Sequence, residues 1–196
     1  MRLDTGEVME LDADVAVRFQ ISRGLNLTEE KKIEVLGADE CIRARKKLVQ
    51  YVALRRKTTQ EAQRYLKRSG FSQQAINEAV SVAMRLGYID DLEYAKAFVR
   101  TRQRNGTKGP RMVMAELQAR GIPRDDAQKV VEEMEDSNNQ METARKLAAK
   151  KYLLLKDVAD QNKASKRLMA HLVRRGFDPE ISAVVTREFF GDPTVF

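Results

Sequence analysis

The side chains best suited to nucleophilic or proton-transfer chemistry are one cysteine, Cys41, and one histidine, His171, far apart in the chain. A Cys/His metal site needs several such ligands converging on one point, and a single residue of each kind does not supply it. Cys41 falls on the helical apolar stripe Cys41, Ala44, Leu48, Val52, which marks it as a small core residue rather than a nucleophile. His171 lies between Arg167 and Arg174 and, without co-ligands, reads as a surface or partly packed histidine. The ten glycines sit singly, so the Gly-rich loop that cradles a phosphate is not present. No pair of carboxylates stands out from helix caps and surface charge as a Mg²⁺ site. The sequence offers no catalytic residues, no metal ligands and no cofactor site, and so points to a protein that acts by binding.

The charge says what it would bind. A net charge of +7 and a pI near 9.5 favour a polyanion or an acidic protein surface. Residues 1–38 hold five Lys/Arg and eight Asp/Glu, so the other 158 residues carry a net +10. Basic residues of this body cluster by helical spacing. Arg64, Lys67 and Arg68 form one group; Arg100, Arg104, Lys108 and Arg111 a second; Lys163, Lys166, Arg167, Arg174 and Arg175 a third. Any one group could be a solvated face with i,i+4 charge pairing; the overall excess makes them the candidate contacts to nucleic acid or a partner. Tyr88, Tyr94 and Phe98 could stack on bases, but their helical spacing favours core packing.

The elements that would position these residues are helices. Ile76, Ala79, Val80, Ala83 and, later, Ala127, Val130, Val131, Met134 repeat the stripe seen at Cys41. Thr58 with Glu61 makes a capping box, and Pro123 and Pro179 suit a first helical turn. The helix ends are more informative. Leu66-Lys67-Arg68-Ser69-Gly70-Phe71 returns as Leu117-Gln118-Ala119-Arg120-Gly121-Ile122 and as Leu172-Val173-Arg174-Arg175-Gly176-Phe177. Glycine supplies the left-handed residue that ends a helix, and the apolar residue after it packs back on the last turn. Three occurrences in phase, 51 and then 55 residues apart, make a repeat.

Each unit reads as three helices: 39–55, 58–69 and 72–86; then 91–105, 109–120 and 123–135; then 139–155, 161–175 and 179–190. The expected partition is an acidic N-terminal extension at 1–38, repeat 1 at 39–87, repeat 2 at 88–136 and repeat 3 at 137–196. Within the extension, Leu3 to Val8 reads as a β-hairpin and Thr28–Leu36 as a short helix. Val15, Val17, Phe19 and Ile21 alternate like a strand, although Asp12 or Asp14 could equally cap a helix there.

At these residues the chain resembles the RecX family of recombination regulators, over nearly its whole length. The most specific segment is Gly87-Tyr88-Ile89-Asp90-Asp91, followed by Tyr94-Ala95, Phe98-Val99 and Arg102. Gly109-x-Arg111-Met112, Glu116-Leu117, Arg120-Gly121-Ile122 and Arg174-Arg175-Gly176-Phe177 follow in order. Arg56-Lys57-Thr58 with Glu61 is similar to the family's first-repeat opening, although Thr stands where Ser is usual. The resemblance implies an all-α fold of three tandem three-helix repeats, elongated and curved. It also implies a non-catalytic regulator that binds the RecA recombinase, free and as a filament on single-stranded DNA, and mainly inhibits its ATPase and strand exchange. It carries no catalytic residues across; the basic residues named above are contacts inferred from charge alone.

Two other readings fit the composition. One is a DNA-binding protein that acts without a recombinase through a helix-turn-helix; the other is a helical scaffold for an acidic partner. A cytoplasmic protein is expected, since one cysteine suits a reducing compartment and an acid stands where a signal peptide would begin its apolar core. No membrane association is expected, because no window of the sequence is apolar enough to span a bilayer.

Overall fold

The computed structural model describes residues 8–134 and 137–191. Among these residues the regular elements are ten α-helices, and the chain divides near residue 91 into two compact units.

The first unit contains α1 (Ala13–Arg18), α2 (Glu29–Ala53), α3 (Thr59–Arg68) and α4 (Gln73–Arg85). The apolar stripe of α2 packs mainly on α4, with α3 against both. Ala44, Leu48, Ala62, Leu66, Ile76 and Ala79 form the core, with Cys41 at its edge. The capping box is present in full: Glu61 N–H donates to Thr58 Oγ1, and Thr58 N–H to the Glu61 carboxylate, at 3.1 and 3.2 Å. Ser72 caps α4, and its own N–H and hydroxyl donate to Glu40 on α2 at 2.7 and 2.6 Å.

The segment left open between strand and helix is a helix. Asp12 caps α1 by accepting the Asp14 N–H, Val15 turns inward, and Val17 faces solvent. Asp39, buried on α2, explains why the helix docks. Its carboxylate accepts the Asp12 N–H at 2.7 Å and Arg43 Nε at 2.6 Å, so both oxygens of a buried acid are satisfied by tertiary contacts that strand spacing cannot reveal. The hairpin expected at Leu3–Val8 falls on residues 1–7, outside the described residues; only Val8 of it is described, and it is exposed.

Gly37 lies inside a helix, not between two. The expected short helix over 28–36 and the next over 39–55 are one continuous α2 of 25 residues. Glycine inside a helix costs about 1 kcal/mol relative to alanine. Here Val35, Asp39, Ala44 and Leu48 are buried along one face on both sides of it, and that packing outweighs the local preference.

The second unit contains α5 (Asp91–Asn105), α6 (Pro110–Ala119), α7 (Arg124–Met134), α8 (Ser137–Tyr152), α9 (Gln161–Arg174) and α10 (Pro179–Phe190). It holds two cores in tandem. One gathers Ala95, Val99, Val113, Leu117, Ile122 and Val130 from α5 to α7; the other gathers Ala144, Ala148, Leu168, Leu172, Phe177 and Val185 from α8 to α10.

The repeated helix stop is the same structure three times. Gly70, Gly121 and Gly176 have φ of +85°, +89° and +90°. The residues after them, Phe71, Ile122 and Phe177, donate backbone N–H groups to Leu66, Leu117 and Leu172 at 3.4, 3.1 and 3.2 Å. Each glycine N–H bonds one turn back, to Lys67, Gln118 or Val173. This pair of bonds satisfies the carbonyls orphaned at a helix end. All three leucines are fully buried, so the motif both ends the helix and fixes the register of the core.

Candidate partner-binding surfaces

Helix geometry sorts the basic residues by what already holds them. On α3, Ala62 and Leu66 face the core, which leaves Arg64 and Arg68 one turn apart on the outward side with Lys67 beside them, all exposed. On α5, Ala95 and Val99 face inward and Arg100 and Arg104 point to solvent, again one turn apart. On α9, Ala164, Leu168 and Leu172 are buried. The opposite side carries Lys163, Arg167 and Arg174 along one face, with Lys166 adjacent, all exposed.

Two of the candidate cations, Lys108 and Arg111, are held by carboxylates, and Arg175 takes part through its backbone. Lys108 and Arg102 both donate to the Glu116 carboxylate, Arg102 Nε at 2.8 Å. Arg111 pairs with Asp178 at 2.5 Å. Arg175 is half-buried and its carbonyl accepts the Gly109 N–H at 2.8 Å. The structure therefore separates the second group: Arg100 and Arg104 stand free on α5 among the described residues, while Lys108 and Arg111 brace their own unit.

That bracing is built on two glycines the charge pattern does not disclose. α6 begins at Gly109, which has no side chain to cap it. Carbonyls at the end of α9 cap it instead: Gly109 N–H reaches Arg175 and Arg111 N–H reaches Gly176, at 2.8 and 3.1 Å. The backbones approach so closely that a Cβ on Gly109 would stand 2.5 Å from the Gly176 carbonyl, and one on Gly176 would meet the Met112 backbone. The family resemblance marks both segments, but only the fold shows that they touch.

Glu116 sits at the centre of a second unforeseen cluster. Burial alone would push its carboxyl up, but Lys108 and Arg102 outweigh burial and hold it below its ordinary 4.5. Arg102 and Arg120 also lie against the Phe98 ring, 4.6 and 4.7 Å from its centroid. A carboxylate with a lowered pKa adds stability that is complete above its unfolded value and is lost as pH falls through the folded one. Glu116→Gln should therefore weaken the acid destabilisation that sets in below about pH 4.5. At pH 7 it should cost about 1–2 kcal/mol, because two half-buried cations lose their counter-charge. Urea melts of wild type and variant at pH 3.5 and 7 check this: the gap must be smaller at the lower pH.

Core packing holds for Tyr94 and Phe98, which pack against the core of α5 to α7. It does not hold for Tyr88, which is 53% exposed; it follows Gly87 at φ +73° in the turn after α4, where the buried position falls to Ile89. Cys41 is half-buried, and burial with the help of Glu78 pushes its thiol up to about 11, so at neutral pH it is not a thiolate. His171 is also half-buried; burial first, then Arg175, Lys151 and Arg174, hold its pKa below the usual histidine value. Among the described residues no helix is long and apolar enough to cross a membrane. No group of three or more His, Cys, Asp or Glu among them is placed to hold a metal ion.

Cores of three helices, each closed by the same glycine stop, define a helical tandem-repeat protein. The family model described as RecX, second three-helix domain, matches residues 90–131, and that described as RecX, third three-helix domain, matches residues 138–183. A protein named regulatory protein RecX from Bacillus licheniformis is 32% identical over 187 residues, covering 95% of this chain and 70% of that protein. Its namesake in Listeria welshimeri is 29% identical over 183 residues, covering 91% of this chain and 65% of that one. The chain belongs to the RecX family of regulatory proteins. Its fold matches a crystal structure of regulatory protein RecX with a TM-score of 0.80 at 21% identity, over 94% of this chain and 90% of that one. It also matches RecX from Lactobacillus salivarius with a TM-score of 0.70 at 23% identity, over 78% and 97%.

Proposed function

We propose that this chain binds the RecA recombinase in the cytoplasm, both free and as a filament on single-stranded DNA, and slows its ATPase and strand exchange with no catalytic site of its own. Membership of a family of regulatory proteins supports a binding role, and the resemblance in sequence implies RecA as the partner. The observation that carries the binding surface is α9, where Lys163, Arg167 and Arg174 share one exposed face with no ion pair among the described residues. Unpaired surface cations lose little on meeting phosphate or carboxylate, whereas Lys108 and Arg111 would first have to leave Glu116 and Asp178. The free groups on α3 and α5 extend the same logic, with Arg64, Lys67, Arg68, Arg100 and Arg104 as further contacts.

The test is capture of purified RecA by the immobilised chain, with and without single-stranded DNA. Retention in both conditions supports the reading. Retention of DNA alone leaves a DNA-binding protein without a recombinase partner. The role of α9 has its own measurement. Replacing Lys163, Arg167 and Arg174 with Ala should flatten the plot of log affinity for an oligonucleotide against log salt by about 2, at roughly 0.7 for each phosphate no longer neutralised. The melting temperature should hardly move. An unchanged slope would place the DNA contacts on α3 or α5.

A further inference from the structure

Leu153 and Leu154 are 64% and 75% exposed at the turn that follows α8, in the run Lys150-Lys151-Tyr152-Leu153-Leu154-Leu155-Lys156. The turn is anchored. Leu155 is buried in the core of α8 to α10, and Tyr152 packs on Phe189 and Phe190 of α10 at 5.3 and 5.1 Å. Leu154, Leu155 and Lys156 donate backbone N–H groups back to Lys151 and Tyr152 at 2.8–3.1 Å. Gln161 Nε2 reaches back to the Val158 carbonyl at 2.9 Å. Two aliphatic side chains are thus held outward on a braced backbone, so little freedom remains to be lost when they are covered.

Their surroundings are basic. Lys150 and Lys156 are exposed and Lys151 half-buried. Lys151, Arg174 and Arg175 all act on His171, which places the ends of α8 and α9 in one positive field. Of the turn's two acids, Asp157 is exposed and Asp160 caps α9 through the Lys163 N–H. The cations alone would suit phosphate or carboxylate equally. The leucines decide between them. A nucleic-acid backbone offers no apolar socket, and single strands are gripped by aromatic rings, not aliphatic chains; a protein groove rimmed with acids offers both complements.

We propose that the α8–α9 turn docks into an acidic protein groove, with Leu153 and Leu154 as its apolar anchors and Lys150 and Lys156 at its rim. This rests on the reading that the chain acts by binding RecA, and it separates that contact from the DNA-binding face of α9. The test uses the whole chain carrying Leu153→Ser and Leu154→Ser, titrated against purified RecA without DNA and, separately, against a labelled oligothymidine. The affinity for RecA should fall at least about tenfold, the worth of the apolar area removed, with oligothymidine binding within about twofold of wild type. Lys150→Gln with Lys156→Gln should also weaken RecA binding, which guards against misfolding of the leucine variant. Equal RecA binding by wild type and both variants would overturn the docking proposal and leave the RecA reading intact. Loss of oligothymidine binding in place of RecA binding would overturn it in favour of a nucleic-acid contact. Failure of the wild-type chain to bind RecA would remove the reading and this proposal together.

Discussion

Gly176→Ala is expected to cost about 3–5 kcal/mol, whereas Gly70→Ala, at the same point of the same motif, should cost about 1–2. Both glycines hold a left-handed φ, +90° and +85°, so the strain of a Cβ in that region is common to both. What differs is the space. Nothing lies within 4 Å of a Cβ on Gly70, but one on Gly176 runs into the backbone and Cβ of Met112. A backbone cannot yield as a side-chain tip does, so α6 must back away and loosen the Gly109–Arg175 and Arg111–Gly176 hydrogen bonds. Gly109→Ala should approach Gly176→Ala in cost although its φ is an ordinary −82°, because its Cβ would stand 2.5 Å from the Gly176 carbonyl. Calorimetry of the three variants decides it. Melting points for Gly109→Ala and Gly176→Ala should lie about 10 °C or more below that of Gly70→Ala; equal values would mean that the close approach contributes nothing.

Leu117→Asp should be more damaging still. Leu117 is fully buried among Val99, Val113, Ile122 and Val130, and its carbonyl accepts the Ile122 N–H that closes the helix stop. A carboxylate there meets no partner, and an unpaired buried charge costs about 4 kcal/mol or more. That is comparable to the whole stability of a small domain. Circular dichroism at 25 °C should show the helical signal of the second unit reduced, and Leu66→Asp and Leu172→Asp should be as severe in their own cores. A wild-type melt for Leu117→Asp would disprove the register of the repeat.

How much of this was legible in the sequence follows from the range of the interactions. Helix stops and the three leucines are fixed by groups within six residues, so Leu66, Leu117 and Leu172 announced the three cores through local spacing alone. The break expected between residues 36 and 39 is absent for the converse reason: glycine's local cost at Gly37 is real, but the burial of Val35, Asp39, Ala44 and Leu48 along one face of α2 overrides it. The Asp39–Asp12 bond and the Gly109–Gly176 approach join residues far apart in sequence, and nothing in their spacing betrays them. The basic groups were visible as groups. Which members were free was not, because that depends on Glu116 and Asp178 being folded against Lys108 and Arg111. Leu153 and Leu154 stood in an apolar run indistinguishable from core until the fold turned them outward.

The most direct test of the central claim is the rate of ATP hydrolysis by RecA on single-stranded DNA, followed as this chain is added at fixed filament concentration. The rate should fall to a plateau at saturation, the chain alone should hydrolyse no ATP, and inhibition should weaken when Lys163, Arg167 and Arg174 are changed to Glu in a protein that still melts normally. An undiminished rate at saturating protein, with RecA also absent from the capture experiment, would contradict that claim.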